Sequence, residues 1–265
     1  MSQSRHISRI IGADGRTVIL ALDAANFSPD IAGVDDAVAA VPLMAEHGLD
    51  CVLVTKGIAE RASASLGKVG MVLRCDASTD VYQTVPGSFI VNDALDAVRV
   101  GADGVVIMGF PGSADNVELQ QQTAVLYRQC RDFQLPLIIE SLPFTFVGSE
   151  PEHRDPHNVA CAVRLAAEFG ADIVKTRYSG EADDAVIAKN ATVPVVALGG
   201  PKTNLEGYLE FVEHCIKSGA AGVAVGRNIV QDQFPIAKVA ALNAIIHNDA
   251  PASEALVVYH DLARN

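Results

Sequence analysis

Short aliphatic runs alternate with longer stretches of mixed polar and apolar residues along the whole chain. The runs at 17–22 (TVILAL), 51–55 (CVLVT), 71–74 (MVLR) and 104–108 (GVVIM) predict strands in the first half. Those at 137–140 (LIIE), 172–176 (DIVKT), 195–198 (VVAL) and 222–225 (GVAV) predict strands in the second. Continuous aliphatic runs suit strands covered on both faces, as in a parallel sheet. The amphipathic stretches between them predict helices, so the chain reads as successive βα units. The interval between the third and fourth runs shows the least helix. An open doubly wound sheet has the same alternation, but the punctuation favours a closed barrel. Four helical stretches end in a small-residue step directly before a strand: HGLD at 47–50, VGADG at 100–104, FGADI at 169–173 and SGAAG at 218–222. Glycine there closes the helix in the left-handed conformation and the strand begins at once. The prediction is a single (β/α)8 TIM barrel, class α/β, over 1–265 with a short N-terminal extension at 1–16. Its longest irregular stretch is 143–155.

Composition agrees. The chain of 265 residues is 49% hydrophobic, only 5% aromatic and without Trp, so its core is built from small aliphatic side chains. That length suits one such barrel. The formal charge of −12 comes without any cationic run, which argues against a nucleic-acid partner. A bound phosphate must then be held locally, by backbone N–H groups and one or two cations. No stretch is apolar enough to predict a membrane span, and the first ten residues lack an apolar leader core. Five scattered cysteines without a C-x-x-C pair read as free thiols, with Cys51, Cys75 and Cys161 expected to be buried. Together these features predict a cytoplasmic protein.

In a TIM barrel the chemistry gathers at the C-terminal ends of the strands. The polar residues there are Asp23, Lys56, Arg74 with Asp76, Glu140, Lys175 with Arg177 and Tyr178, and the glycine loops after the seventh and eighth strands. Alternation sets Ile173, Lys175 and Arg177 on one face. A lysine facing the mouth is desolvated beside Arg177, which disfavours the ammonium, and a neutral amine can attack a carbonyl. The resulting iminium is an electron sink for breaking the adjacent bond. The plainer alternative is a lysine reaching out to Asp172 or Glu181. Lys56 is a second candidate for the amine.

LGGPKT (198–203) and VGRN (225–228) predict a phosphate cradle of Gly199, Gly200, Lys202, Gly226 and Arg227. Asp23 either orients a substrate hydroxyl or caps the segment after it. Glu140 is a candidate general acid/base. His153 and His157, with Glu150 and Asp155 nearby, raise a zinc alternative, although Pro156 starts a helix between the two rings. The principal reading uses no metal and no cofactor.

ILALD, GADIVKTRYSG, GGPK and GRN together resemble the archaeal-type class I fructose-bisphosphate aldolases, within the broader family of deoxyribose-phosphate aldolase. The resemblance runs from the first strand to the last. It implies a Schiff base on Lys175, a role for Asp23 and a phosphate site in the glycine loops. It also implies a homo-oligomer. Two departures stand out. Ala24 and Ala25 follow Asp23 where those enzymes have His-Gly. Leu142 and Phe144 occupy the places of a proton-transferring tyrosine and an anion-binding arginine, and Glu140 or Tyr178 is the candidate replacement for the tyrosine. The resemblance therefore implies an aldolase acting on a small phosphorylated ketose or dicarbonyl, with fructose 1,6-bisphosphate itself in doubt. The same family holds an aminodideoxyheptulosonate synthase and a thiolase-like acyl transferase, so acyl transfer stays open. So does a non-catalytic phosphosugar-binding barrel.

Overall fold

A computed structural model describes residues 5–78, 88–114, 116–145, 150–200 and 203–264. The strands are β1 (Thr17–Ala21), β2 (Cys51–Val54), β3 (Gly70–Arg74), β4 (Asp76–Ser78), β5 (Ser88–Ile90), β6 (Gly104–Gly109), β7 (Leu137–Ser141), β8 (Ile173–Thr176), β9 (Val195–Leu198) and β10 (Gly222–Val225). The helices are α1 (Val34–Glu46), α2 (Lys56–Ala62), α3 (Ala94–Arg99), α4 (Asn116–Phe133), α5 (Pro156–Glu168), α6 (Ala185–Asn190), α7 (Leu205–Lys217), α8 (Arg227–Val230), α9 (Pro235–Asn248) and α10 (Ala252–Ala263).

Eight parallel strands close a barrel in the order β1-β10-β9-β8-β7-β6-β3-β2. All eight aliphatic runs are barrel strands, with ends shifted by a residue or so. The sparse interval after the third run holds an antiparallel hairpin of β4 and β5 before the six-residue α3. The stretch 143–155 contains a 3₁₀ turn at Pro151–His153. Among the described residues no helix is long and apolar enough to cross a membrane.

Two apolar layers follow from strand alternation. Residues such as Val18, Leu20, Val174 and Val223 point outward and pack under the helices. Ile19, Leu53, Val72, Val106, Ile138, Ile173 and Val196 fill the barrel itself. The N-terminal segment completes that inner layer, because Ile10 and Ile11 are buried and pack with the barrel-filling residues. Glycines at the strand starts make room for it. A β-carbon on Gly70 would come within 1.9 Å of the Arg9 carbonyl oxygen, and one on Gly104 within 2.9 Å of Ile10 Cδ1. What reads in the sequence as an extension is the floor of the barrel.

At that end His247 of α9 bonds Asp14 at 2.7 Å and Asp50 at 3.0 Å, while Asp50 also accepts the Val18 N–H at 2.7 Å. The hydrogen bond to Asp50, helped by that to Asp14, outweighs partial burial and lifts His247 from 6.5 to about 9. Its bound proton therefore stabilises the fold fully below pH 6.5, and that share is lost as pH rises through about 9. Wild-type Tm is expected to fall over this window, and His247→Gln to flatten the fall by on the order of 1–2 kcal/mol. Thermal melts of both proteins at closely spaced pH values check this.

Candidate active site

The side chains at the C-terminal ends of the strands form one buried ionic cluster. Alternation aims Arg74 of β3, Glu140 of β7 and Lys175 of β8 into the barrel, above the layer filled by Val72, Ile138 and Ile173. Glu140 and Lys175 are register partners across β7 and β8. Lys175 is 5% exposed, and its Nζ donates to Glu140 Oε2 at 2.9 Å. The same oxygen accepts Arg74 Nη2 at 2.5 Å. Arg74 Nε donates to Asp23 Oδ2 at 2.8 Å and Nη1 to Asp76 Oδ1 at 3.2 Å, while the guanidinium lies 4.9 Å from the centre of the Phe27 ring. Arg74 is only 1% exposed, so one fully desolvated cation joins three carboxylates from three parts of the chain. The sequence places Arg74 and Asp76 at a strand end without giving them a role. Their signal is the one Asp23 and Glu140 carry, a charge closing an aliphatic run.

Burial alone would raise the Glu140 carboxyl, but the charges and hydrogen bonds of Lys175 and Arg74 outweigh it and hold the group at about 2. An acid that strong is ionised throughout the neutral range, which suits a counter-charge better than the proton donor expected of it. For Asp76 burial prevails, and its carboxyl is raised despite Arg74 and a hydrogen bond from Ser88. The charge beside Lys175 thus differs from expectation: its direct partner is the Glu140 carboxylate, not the Arg177 guanidinium.

Asp23 does not cap the 3₁₀ turn it precedes, since its side chain is turned to Arg74. Tyr178 follows the end of β8, packs in the layer beneath the helices and is 4% exposed. Burial, then the neighbouring Cys215 and Asp184, raise its hydroxyl, and no partner among the described residues satisfies that group. Tyr178 also lines the cleft that holds Lys175 and Glu140. Lys56 opens α2 and donates to Asp96 at 2.9 Å, a bond that raises its pKa and ties it outside the barrel mouth.

Gly199, Gly200, Gly226 and Arg227 line the same cleft as Asp23, Arg74, Glu140 and Lys175, in a cavity of about 1060 Å³. Asn228 Nδ2 donates to the Gly199 carbonyl at 2.8 Å and so ties the two glycine loops together. Gly200 needs its residue type twice over: its φ is +69°, and a β-carbon would lie 2.5 Å from the Phe211 ring. Lys202 lies outside the described residues. Leu142 is fully buried against Met108, Phe110 and Leu119, and Phe144 packs on the tilted His153 ring with ring centroids 5.2 Å apart.

His153 ends a 3₁₀ turn, whereas His157 sits in α5, whose N-cap Asp155 spends its carboxylate on the His157 and Asn158 N–H groups. Among the described residues no three His, Cys, Asp or Glu side chains gather as a metal site. Cys51, Cys75, Cys130 and Cys215 are buried free thiols, but Cys161 is exposed, because its position in α5 faces away from the barrel.

Residues 17–232 match the DeoC/LacD family aldolases. The chain is 32% identical over 260 residues to the 2-amino-3,7-dideoxy-D-threo-hept-6-ulosonate synthase 1 of Archaeoglobus fulgidus, an alignment covering 97% of this chain and 95% of that protein. It is 33% identical over 261 residues to the class 1 fructose-bisphosphate aldolase of Thermoproteus tenax, covering 94% and 97%. A solved archaeal fructose-1,6-bisphosphate aldolase, with its catalytic lysine covalently bound to the carbinolamine intermediate of the substrate, matches with a TM-score of 0.82 at 31% identity. That match covers 91% of this chain and 98% of the other. The chain belongs to the DeoC/LacD aldolase family, and it is a carbon–carbon lyase of the Schiff-base-forming class I kind.

Proposed function

We propose that the chain makes or breaks a carbon–carbon bond in a small phosphorylated ketose or related dicarbonyl through a Schiff base on Lys175. The observation that carries this reading is a buried amine at a strand's C-terminal end, opening into the cleft that the two glycine loops also line. Nζ, once it has given up its proton, adds to the substrate carbonyl carbon, and loss of water from the carbinolamine leaves an iminium. The bond one carbon further on then breaks, its electron pair flowing into the iminium to give an enamine while the aldehyde departs. Protonation of the enamine carbon and hydrolysis return the ketone and the amine. In the synthetic direction the same steps run in reverse.

Glu140 supports this sequence by staying ionised, so that the positive iminium nitrogen keeps a carboxylate beside it. Arg74 is a positioning residue that fixes Glu140 and Asp23 relative to the amine. Asp23 lines the cleft and positions substrate hydroxyls. The phosphate goes to the N–H groups around Gly199, Gly200 and Gly226, with charge from Arg227 and Lys202. Leu142 presents no proton-transferring group, so the proton steps fall to Asp23 or to water in the cleft. The free thiols favour a reducing, cytoplasmic setting. The exposed apolar residues Leu95 and Val98 of α3, with Val91 before it, favour a homo-oligomer.

Sodium borohydride added during incubation with dihydroxyacetone phosphate is expected to leave a stable mass adduct that maps to the peptide carrying Lys175. Turnover of candidate substrates without any adduct, together with a fully active Lys175→Met protein, would end this reading.

A further inference from the structure

A second cavity lies outside the barrel, between the ends of β6 and β7 and the helices α4 and α5. The pleat that aims Glu140 inward turns Ile139 and Ser141 outward, and Ser141 Oγ donates to the Ala162 carbonyl of α5 at 2.8 Å. Its register partner Gly109 has no side chain, and a β-carbon there would meet only Ile139 Cγ2, at 3.1 Å. The helices leave that space open, as a cavity of about 240 Å³ walled by Leu119 and Thr123 of α4 and Ala166 of α5. Polar groups in the wall are already bonded. Thr123 Oγ1 donates to the Leu119 carbonyl at 2.7 Å, and Asn116 Oδ1 accepts the Phe110 N–H at 3.1 Å. A buried water needs roughly two to four polar partners, so this interior favours an apolar occupant. Tyr127 and Phe169 add aromatic surface. Arg131 sits 4.9 Å from the centre of the Tyr127 ring, and a β-carbon on Gly170 would lie 2.4 Å from that ring, so the ring is held on both sides. Ala124, Arg128 and Phe169 are exposed and mark the mouth. Among the described residues that line the cavity, Arg128 alone is charged, and it forms no ion pair or hydrogen bond with any described residue. The carboxylates on either side of Phe169 in the chain, Glu168 and Asp172, bond Arg164 and Arg131 instead.

We propose that this cavity binds a small aromatic carboxylate, with its ring inside and its carboxylate at Arg128. A dry cavity of roughly 150 Å³ accepts benzene, so one of about 240 Å³ admits a phenyl ring on a short tether. Contact with Tyr127 and Phe169 adds ring-on-ring attraction to the burial. The guanidinium fork of Arg128 matches the two oxygens of a carboxylate. Pockets of this kind between helices, apolar with one oriented polar group, are ordinary small-molecule sites. The site is distinct from the cleft and independent of the Schiff-base reading. Neither Asp23, Lys175 nor the glycine loops line it, and β7 stands between the two, with Glu140 facing one and Ser141 the other.

The test titrates the full chain with 3-phenylpropanoate, 3-phenylpropan-1-ol and hexanoate, followed by ligand-observed NMR. 3-Phenylpropanoate is expected to bind with a Kd of about 1 mM or below. The alcohol, without the charge, should bind about threefold to fivefold more weakly, and hexanoate, without the ring, at least about threefold more weakly. Arg128→Gln should bring the carboxylate to the alcohol's affinity and leave the alcohol unchanged. Ala124→Phe should close the mouth and abolish binding of all three. Both positions are exposed on α4, so both variants fold. Saturating inorganic phosphate and Lys175→Met should leave the affinities as they are, because both act in the other cleft. Absence of binding at about ten times the expected Kd overturns the site, as does binding that survives Ala124→Phe. Displacement by phosphate overturns it too, by placing the probe in the active cleft. An affinity for 3-phenylpropanoate that is matched by hexanoate, or unchanged in Arg128→Gln, overturns the assignment of an aromatic carboxylate.

Discussion

Lys175→Met is expected to lower carbon–carbon cleavage or synthesis by about 10⁴-fold or more and to abolish borohydride trapping, because the covalent route is lost entirely. Methionine is one atom shorter than lysine and removes both charge and nucleophile, so a second variant has to separate them. Lys175→Arg keeps a cation beside Glu140 but presents no amine that forms an iminium, and it should be as inactive as the methionine protein. Both should still bind inorganic phosphate at the glycine loops, since those loops belong to the ends of β9 and β10 rather than β8. The methionine variant leaves Glu140 with Arg74 as its remaining cation, and a net loss on the order of 1–3 kcal/mol follows from the missing hydrogen bond to a buried carboxylate. A Tm lowered by no more than that loss, with no activity, therefore identifies a chemical role. Activity within tenfold of wild type in either variant would remove Lys175 from the mechanism.

Much of this site was legible in the chain because a barrel turns a one-dimensional rule into position. A charge that closes an aliphatic run stands at the mouth, and Asp23, Arg74, Glu140 and Lys175 all do so. The period of two then decides which of them face inward. That rule stops short of Tyr178, which lies beyond the end of β8 and both packs beneath the helices and lines the cleft. The pairing of Glu140 with Lys175 was not legible, since it depends on the register of β7 against β8. Arg74 as the hub was hidden for the same reason: beside its sequence neighbour Asp76, its partners Asp23 and Glu140 reach it only by closure of the barrel. Ile10 and Ile11 were read as part of an extension because two apolar residues in a polar segment set no period. Their burial in the floor is decided by the glycines that open β3 and β6. Cys161 shows the limit of reading burial from neighbours on a helix, where one residue among apolar ones can still face water.

Arg74→Met should be the most destabilising substitution of the cluster. It removes a 1%-exposed guanidinium that bonds Asp23, Asp76 and Glu140, leaving three buried carboxylates with Lys175 as the nearby compensating cation. Breaking a buried pair by deleting one partner costs about 3–5 kcal/mol, and for a barrel of this size that corresponds to a Tm lower by roughly 10 °C. Two controls distinguish charge from packing. Asp76→Asn in the Arg74→Met background should recover part of the loss, because Asp76 is the carboxylate that burial already pushes toward its neutral form. Acid should narrow the gap between wild type and variant. Glu140 is depressed from 4.5 to about 2 in the fold, so its stabilisation is full above pH 4.5 and disappears as pH falls through about 2. The variant has lost much of that depression and has correspondingly less to lose. Catalysis should suffer as well, through orientation: the Lys175 adduct should still form, but more slowly, since Glu140 is then held only by the amine it is meant to place. A methionine protein with unchanged Tm and a wild-type pH profile would show that the guanidinium does not organise the cluster.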